Sequence, residues 1–372
     1  MTLESSALSP TDRDYLEKAR SLAHRGWGRV HPNPMVGCVL VRDGEIVGEG
    51  HHQVFGGPHA EIVALEQALT AAEGATAYVS LEPCDHQGKT PPCSQALIDA
   101  GVARVVYGAA DPGRRSGGGA DTLRGADVDV VGPVWSPAEA WVENPAFMHV
   151  ARHETPFVAL KLAMTLDARI AGAPEASTRI TGAEAHKEVH RLRTGFDALL
   201  VGAGTARVDD PRLTVRLVPP GRQAPRRVVL APEADLDPGA AIFELVEEAP
   251  LHVFTRLDVA EGAIERLEAS GAHVHPVAHE GGRLSLEAVS DVLWELGIRS
   301  ILCEGGGRLA SSLLRDGRVQ RVYLFVAPRT LGEAGVPAFP GGDTLDWSSF
   351  RPTRAPEVFG RDALLVLDRE EA

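Results

Sequence analysis

The chain has 372 residues, a net charge of −14 and four cysteines. That length exceeds what one core usually fills, so two domains are expected. No apolar run approaches the ~20 residues that span a bilayer, and the acidic balance argues against a nucleic-acid partner. Four cysteines are too few for a disulfide framework. The polar N-terminus lacks the apolar centre of a signal peptide, so a reducing cytoplasm is expected.

Residues 11–27 read as an amphipathic helix. The prolines of His31-Pro32-Asn33-Pro34 then hold an extended or turning path into a strand at 36–41. Asn33 at that entry is either a turn asparagine or an amide that reads a pyrimidine edge. Asp43-Gly44 makes a hairpin turn into a strand at 46–50. Residues 59–72 have helical apolar spacing, which places His59 and Glu61 on a first turn. A strand at 77–81 ends at Pro83-Cys84, and Pro91-Pro92 opens a helix that starts at Cys93. A strand at 104–108 follows. Alternating strands and helices indicate a layered α/β domain. Cys38 and Cys303 lie in apolar runs and read as small buried hydrophobes.

One imidazole and two thiolates, His59, Cys84 and Cys93, are good zinc ligands that leave a fourth position open for water. Glu61, two residues past the histidine, can reach that water without ligating the metal. This is the ligand set and the acid/base group of zinc-dependent nucleobase deaminases. Both His59 and Cys93 begin helices, whose dipoles favour a thiolate and a bound anion. The loop 85–92 between the cysteines should lie over the metal, with Lys89 and Thr90 available to substrate and His86 facing solvent or substrate. The glycine-rich run 114–120 is a flexible connector or an anion cradle.

The stretches PNPMVGCVLV, GEGHHQVFGGPHAE and LEPCDHQGKTPPC closely resemble the bifunctional deaminase–reductase family of bacterial riboflavin biosynthesis. The eight-residue gap between Cys84 and Cys93 separates it from deaminases with a Cys-x-x-Cys pair. The resemblance covers nearly the whole chain. It implies a cytidine-deaminase-like α/β/α domain over 1–150 and a dihydrofolate-reductase-like α/β domain over 151–372. The first would remove the 2-amino group of a diaminopyrimidinone ribosylamino 5′-phosphate, with zinc on His59, Cys84 and Cys93. Zinc acidifies the attacking water, and Glu61 moves its proton to the ring nitrogen and the leaving ammonia. The second would use NADPH to reduce the ribosyl group of the product to ribityl. A homo-oligomer, dimer or tetramer, is implied by the resemblance alone.

In the second half, residues 158–171 resemble the first strand of that reductase. A strand at 196–202 leads into Gly202-Ala203-Gly204-Thr205, whose small residues let a cofactor approach the backbone. Residues 208–211 read as a turn and 213–216 as a short strand. The strand 300–303 runs into Glu304-Gly305-Gly306-Gly307 and a helix at 308–314. Such a junction is an anion site or simply a turn and helix cap. By motif position, Ala163, Thr205, Asp209 and the glycines 305–307 would line the NADPH site. Ser177, Arg193, Leu213, Arg216 and Glu304 would meet substrate, the two guanidiniums clamping its 5′-phosphate.

Two positions depart from the family. Ala168 follows Leu166-Asp167 where glycine is common, and would carry strain if that site needs a positive φ. Arg179 stands where tryptophan usually meets the cofactor. A guanidinium can stack there or bind the cofactor's 2′-phosphate, and an altered cofactor affinity follows. Competing readings are a deaminase with a catalytically silent reductase-like domain and a paralogue acting on a related pyrimidine- or pterin-type substrate. A non-enzymatic zinc protein would need a closed four-ligand site.

Overall fold

The computed structural model describes residues 8–86, 91–113, 115–340 and 345–370. The chain divides into two compact units, Met1–Arg152 and His153–Ala372. In the first unit, α1 (Pro10–Ala23) is started by a capping box between Ser9 and Asp12, with Pro10 in its first turn. It is shorter than expected, because residues 24–26 tighten into a 3-10 turn. The hairpin β1 (Gly37–Arg42) and β2 (Glu45–His51) closes through Asp43-Gly44, both at positive φ. Then come α2 (Ala60–Ala68), β3 (Thr76–Leu81), α3 (Cys93–Asp99), β4 (Arg104–Ala109), α4 (Gly119–Gly125) and β5 (Asp129–Val131). Two short helices, α5 (Pro137–Glu143) and α6 (Pro145–Val150), end the unit.

The sheet order is β2-β1-β3-β4-β5, with β1 antiparallel to both neighbours and β3, β4 and β5 parallel. α1 covers one face over Val39, Val41, Tyr78 and Val106. α2, α3 and α4 cover the other over Cys38, Leu40, Val79 and Val105. The alanines at 60, 64 and 68 give α2 a flat inner face. Gly48 and Gly50 of β2 allow the contact, since a Cβ there would lie 2.2 and 2.1 Å from the carbonyl oxygens of Ala64 and Ala60. The helix that carries His59 and Glu61 is thereby seated on β2. It ends earlier than the expected residue 72, because Leu69 turns to φ 51 and the chain tightens into a 3-10 turn.

The second unit opens with β6 (Phe157–Thr165), β7 (Arg169–Ala171), α7 (Ala183–Arg193), β8 (Ala198–Gly202) and α8 (Ala203–Asp209). β9 (Arg226–Leu230), β10 (Leu251–Arg256), α9 (Glu261–Glu268) and β11 (Ala272–Val277) follow. A small hairpin, β12 (His279–Glu280) and β13 (Arg283–Leu284), leads to α10 (Leu286–Glu295), β14 (Ser300–Cys303) and α11 (Gly307–Arg315). β15 (Arg321–Ala327), β16 (Val336–Pro337), β17 (Phe350–Pro352), β18 (Glu357–Phe359) and β19 (Asp362–Arg369) complete it. The main sheet runs β11-β10-β9-β8-β14-β6-β15-β19-β17, with β18 also on β19. The strands from β11 to β15 are parallel, and β19 returns antiparallel to β15. Buried Leu160, Leu200, Val228, Phe254, Ile301 and Val322 form one core along it.

Two expectations in this unit fail. Residues 213–216 are not a strand: Leu213, buried at 2% exposure, sits at φ 47 and cannot join a pleated ladder. Val208 and Asp209 belong to α8 rather than to a turn, and the chain reverses at Asp210, φ 39.

Candidate active sites

His59 caps the start of α2 and Cys93 is the first residue of α3, while Cys84 follows the end of β3. Their donor atoms lie within 4.8 Å of one another. His59 Nδ1 is 3.3 Å from Cys93 Sγ and 3.5 Å from Cys84 Sγ. Zinc–sulfur and zinc–nitrogen bonds of about 2.3 and 2.0 Å place neighbouring tetrahedral ligands about 3.5 Å apart, so the residues fit the ion. Among the described residues no fourth His, Cys, Asp or Glu joins them, which argues against a closed structural site. The hydrogen bond between the thiols lowers Cys84 and raises Cys93. Metal binding needs both thiols ionised and releases their protons. The bond to Cys84 likewise raises His59.

Glu61 is 3% exposed beside this cluster. Burial pushes its carboxyl up, the negative Cys84 adds to the effect, and it reaches about 7. An acid/base group is most effective near the working pH. Asn33 donates from Nδ2 to His52 Nε2 at 3.2 Å, and His52 Nδ1–H donates to the Pro58 carbonyl at 2.9 Å. Burial keeps His52 neutral, which suits this tautomer. Asn33 is thus held twice, its backbone N–H closing a turn onto the Val30 carbonyl at 2.9 Å and its side-chain amide bonded to His52.

A carboxylate network supports the ligand turns. Asp85 accepts from Ser94 Oγ and Thr122 Oγ1, tying the residue after Cys84 to the residue after Cys93. Glu82 accepts from the backbone N–H groups of Asp111, Gly118 and Ala120. The glycine-rich run is thus an anion cradle, filled by the chain's own Glu82. His86 is exposed, while Lys89, Thr90 and Arg114 lie outside the described residues.

In the second unit the parallel strands bring a different cluster together. Arg193, at the end of α7, donates from Nε and Nη2 to the two oxygens of Glu304 at 2.6 and 3.0 Å. Its Nη1 donates to the Thr214 carbonyl at 2.8 Å. Lys161 of β6 lies 3.8 Å from Glu304. Burial alone would push Glu304 up, but the Arg193 and Lys161 cations win and hold it at about 2. Lys161 is pulled down by burial. The N–H of Arg216 donates to His190 Nδ1 at 3.0 Å, and burial drives His190 down to about 4, so that ring is neutral.

The expected phosphate clamp is corrected at Arg193, whose fork already grips Glu304. Arg216 is exposed, and among the described residues its guanidinium bonds only its neighbour Thr214. Lys161 was missed; a lysine inside the apolar run VALKLAM was the available signal. Ser177 and Arg179 lie on the exposed stretch 173–179, and the Arg179 carbonyl accepts from Arg329. Arg179, like Arg193 and Lys161, adds to the downward shift that burial gives His186. Asp209 ends α8 and acts on Lys161 through its charge. Ala163 pairs with Phe325 in the centre of the sheet.

The two glycine segments meet. Thr205 Oγ1 accepts from the Gly306 N–H at 2.9 Å, which joins the start of α8 to the start of α11. A Cβ on Gly307 would lie 2.4 Å from the Ala338 carbonyl oxygen, so that glycine answers a packing demand. Gly202 and Gly204 line a cavity of about 820 Å³ that extends along α11.

Residues 9–109 match the cytidine and deoxycytidylate deaminase zinc-binding region, and residues 156–358 match the RibD C-terminal domain. A riboflavin biosynthesis protein RibD of Aquifex aeolicus is 41% identical over 323 residues, covering 87% of this chain and 88% of its own. That of Escherichia coli is 39% identical over 349 residues, 90% and 93% of the two chains. The chain belongs to the RibD family. The structure of Acinetobacter baumannii RibD superposes with a TM-score of 0.81 at 32% identity, covering 97% of this chain and 99% of that one. The Thermotoga maritima deaminase/reductase gives 0.80 at 35% identity, covering 96% and 99%.

As a RibD protein the chain is a two-activity enzyme of riboflavin biosynthesis, a zinc deaminase and an NADPH-dependent reductase acting on a small molecule. The cytidine-deaminase-like and dihydrofolate-reductase-like layers expected above are those observed. The whole-chain match does not favour a silent second domain or a paralogue. No described helix is long and apolar enough to cross a membrane. The two departures from the RibD pattern have different outcomes. Ala168 does stand at positive φ, 55°, whereas Arg179 is exposed and does not line the cavity over Gly202.

Proposed function

We propose that residues 1–150 carry the deamination through His59, Cys84, Cys93 and Glu61, and residues 151–372 the reduction. The observation that supports the first half is a tetrahedrally spaced His/Cys/Cys set with one buried carboxyl beside it. Zinc, when bound, supplies a water acidic enough to attack at neutral pH. Glu61 carries one proton of that water to the ring nitrogen, then carries the proton of the added hydroxyl to the amine, so that the C–N bond breaks and ammonia leaves. A buried carboxyl beside the metal ligands is placed to do both. Asn33, oriented by His52, offers its carbonyl oxygen to the pyrimidine edge.

In the reductase, NADPH supplies the hydride that ends on the ribosyl C1′. Opening the sugar ring frees an oxygen that needs a proton, and Lys161, with its ammonium beside Glu304, is the donor at hand. Arg193 positions Glu304, and Arg216 meets the 5′-phosphate. Ser177 and Leu213 border the substrate; Ala163, Thr205, Asp209 and Gly305–Gly307 border the cofactor. The protein works in the cytoplasm, where Cys84 and Cys93 stay reduced. It assembles as a dimer or tetramer; exposed Leu166, Leu217, Leu257 and Val358 of the second unit are apolar surface suited to burial against a copy.

The assignment of roles is tested by zinc content and ammonia release measured together. Cys84→Ala should lose both. Glu61→Gln should keep zinc and lose ammonia release by about 10²–10⁴-fold. Ammonia release that persists in Glu61→Gln would remove Glu61 from the chemistry.

A further inference from the structure

The cavity over Gly202 and Gly204 is unevenly charged. It is bounded by the start of α8, the β12–β13 hairpin and α11, and among the described residues its walls carry Arg207, Arg283, Arg308 and Arg315 against one carboxylate, Asp316. The chain as a whole carries −14, so this is a local reversal of sign. Elsewhere in the same unit several arginines are paired with carboxylates, Arg212 with Glu244, Arg256 with Glu233 and Arg351 with Glu370. Within the cavity Arg207 is held by Asp235. The Arg283 and Arg308 side chains make no ion pair or hydrogen bond with any described residue. Unengaged guanidiniums lining one cavity are suited to a polyanionic group, which they can grip bidentately.

The same cavity adjoins the Thr205–Gly306 junction. There the Gly306 N–H is taken by Thr205 Oγ1, which leaves the next amides of the first turn of α11 for a pyrophosphate. NADPH carries one anion more than NADH, the phosphate on the adenosine 2′-oxygen. We infer that Arg283 and Arg308 form the subsite for this 2′-phosphate, so that the β12–β13 hairpin and α11 select NADPH over NADH. The inference rests on reading this cavity as the cofactor site. It moves the role from Arg179, which does not line the cavity.

The test is calorimetric titration of the full-length zinc-loaded protein with 2′,5′-ADP, 5′-AMP, NADPH and NADH. Arg283→Gln, Arg308→Gln and the double variant are titrated alongside, their thermal melts reporting that they fold. The unmodified protein should bind 2′,5′-ADP at least about tenfold more tightly than 5′-AMP, one charge-assisted contact being worth that much. The double variant should lose this preference with its 5′-AMP affinity unchanged. A double variant that keeps the preference overturns the inference and leaves the cofactor site standing. Equal weakening of both nucleotides in Arg308→Gln also overturns it, because Arg308 would then read the shared 5′-phosphate. Failure of the unmodified protein to bind either NADPH or 2′,5′-ADP overturns both the subsite and the cavity assignment.

Discussion

At the residue scale, the zinc site was legible because its parts occupy short stretches whose local structure is forced. A histidine at a helix start and a cysteine after Pro91-Pro92 can be placed without knowing the rest of the fold. Arg193 could not be read in this way, since its partner Glu304 is 111 positions away and only the sheet brings them together. Lys161 was overlooked for a similar reason: its neighbour Glu304 is invisible from β6 alone. Ala168 shows the opposite case, where a sequence departure foretells a backbone fact. Its φ of 55 is a region where a Cβ is unwelcome. Ala168→Gly should stabilise the protein by about 1 kcal/mol in denaturant titration. An unchanged or lower midpoint would show that the neighbourhood has adapted to alanine. Arg179→Trp should leave NADPH affinity unchanged, because Arg179 does not line the cavity over Gly202, and a changed Kd would return it to the cofactor site.

At the element scale, most strands and helices were expected within a few residues, and the failures have backbone causes. The 213–216 segment carries strand-forming residues, but Pro211 precedes it and Leu213 takes a left-handed φ that ends any ladder. Strain of this kind is kept where other contacts hold it, here the Thr214 carbonyl gripped by Arg193. The glycine-rich run had two readings, and its structure follows from Glu82 reaching into it. Gly119 is the tightest point, because a Cβ there would lie 1.9 Å from the Pro83 carbonyl oxygen. Gly119→Ala should displace the turn that presents Cys84. Competition with a chelator should show at least about tenfold weaker zinc retention, the scale of losses from outer support of a metal site. Retention equal to the unmodified protein would mean the turn absorbs the methyl group elsewhere.

At the scale of the whole molecule, two α/β units were readable from length and pattern, but the sheet orders were not. The second sheet places β14 beside β6 although some 140 residues of chain separate them, and no local signal encodes that pairing. Its consequence is the buried Arg193–Glu304–Lys161 group, which should dominate the acid response of this unit. Glu304 has an ordinary value of 4.5 and is held at about 2. Its folded-state pKa is depressed, so its contribution is complete above about 4.5 and is lost as the pH falls towards 2. Denaturation midpoints taken across that window should fall with pH, and Glu304→Gln should flatten the slope while lowering stability at pH 7 by about 3 kcal/mol. An unchanged slope in the variant would assign the acid response to other carboxyls.

The most direct test of the two-site account is a single coupled assay on zinc-loaded protein. The diaminopyrimidinone ribosylamino phosphate and NADPH are supplied together, and ammonia release and the nicotinamide absorbance are followed at once. Both signals should appear. Glu61→Gln should abolish the ammonia yet still oxidise NADPH when given the deaminated intermediate. Ammonia without NADPH oxidation, or no ammonia from this substrate at all, would contradict the account.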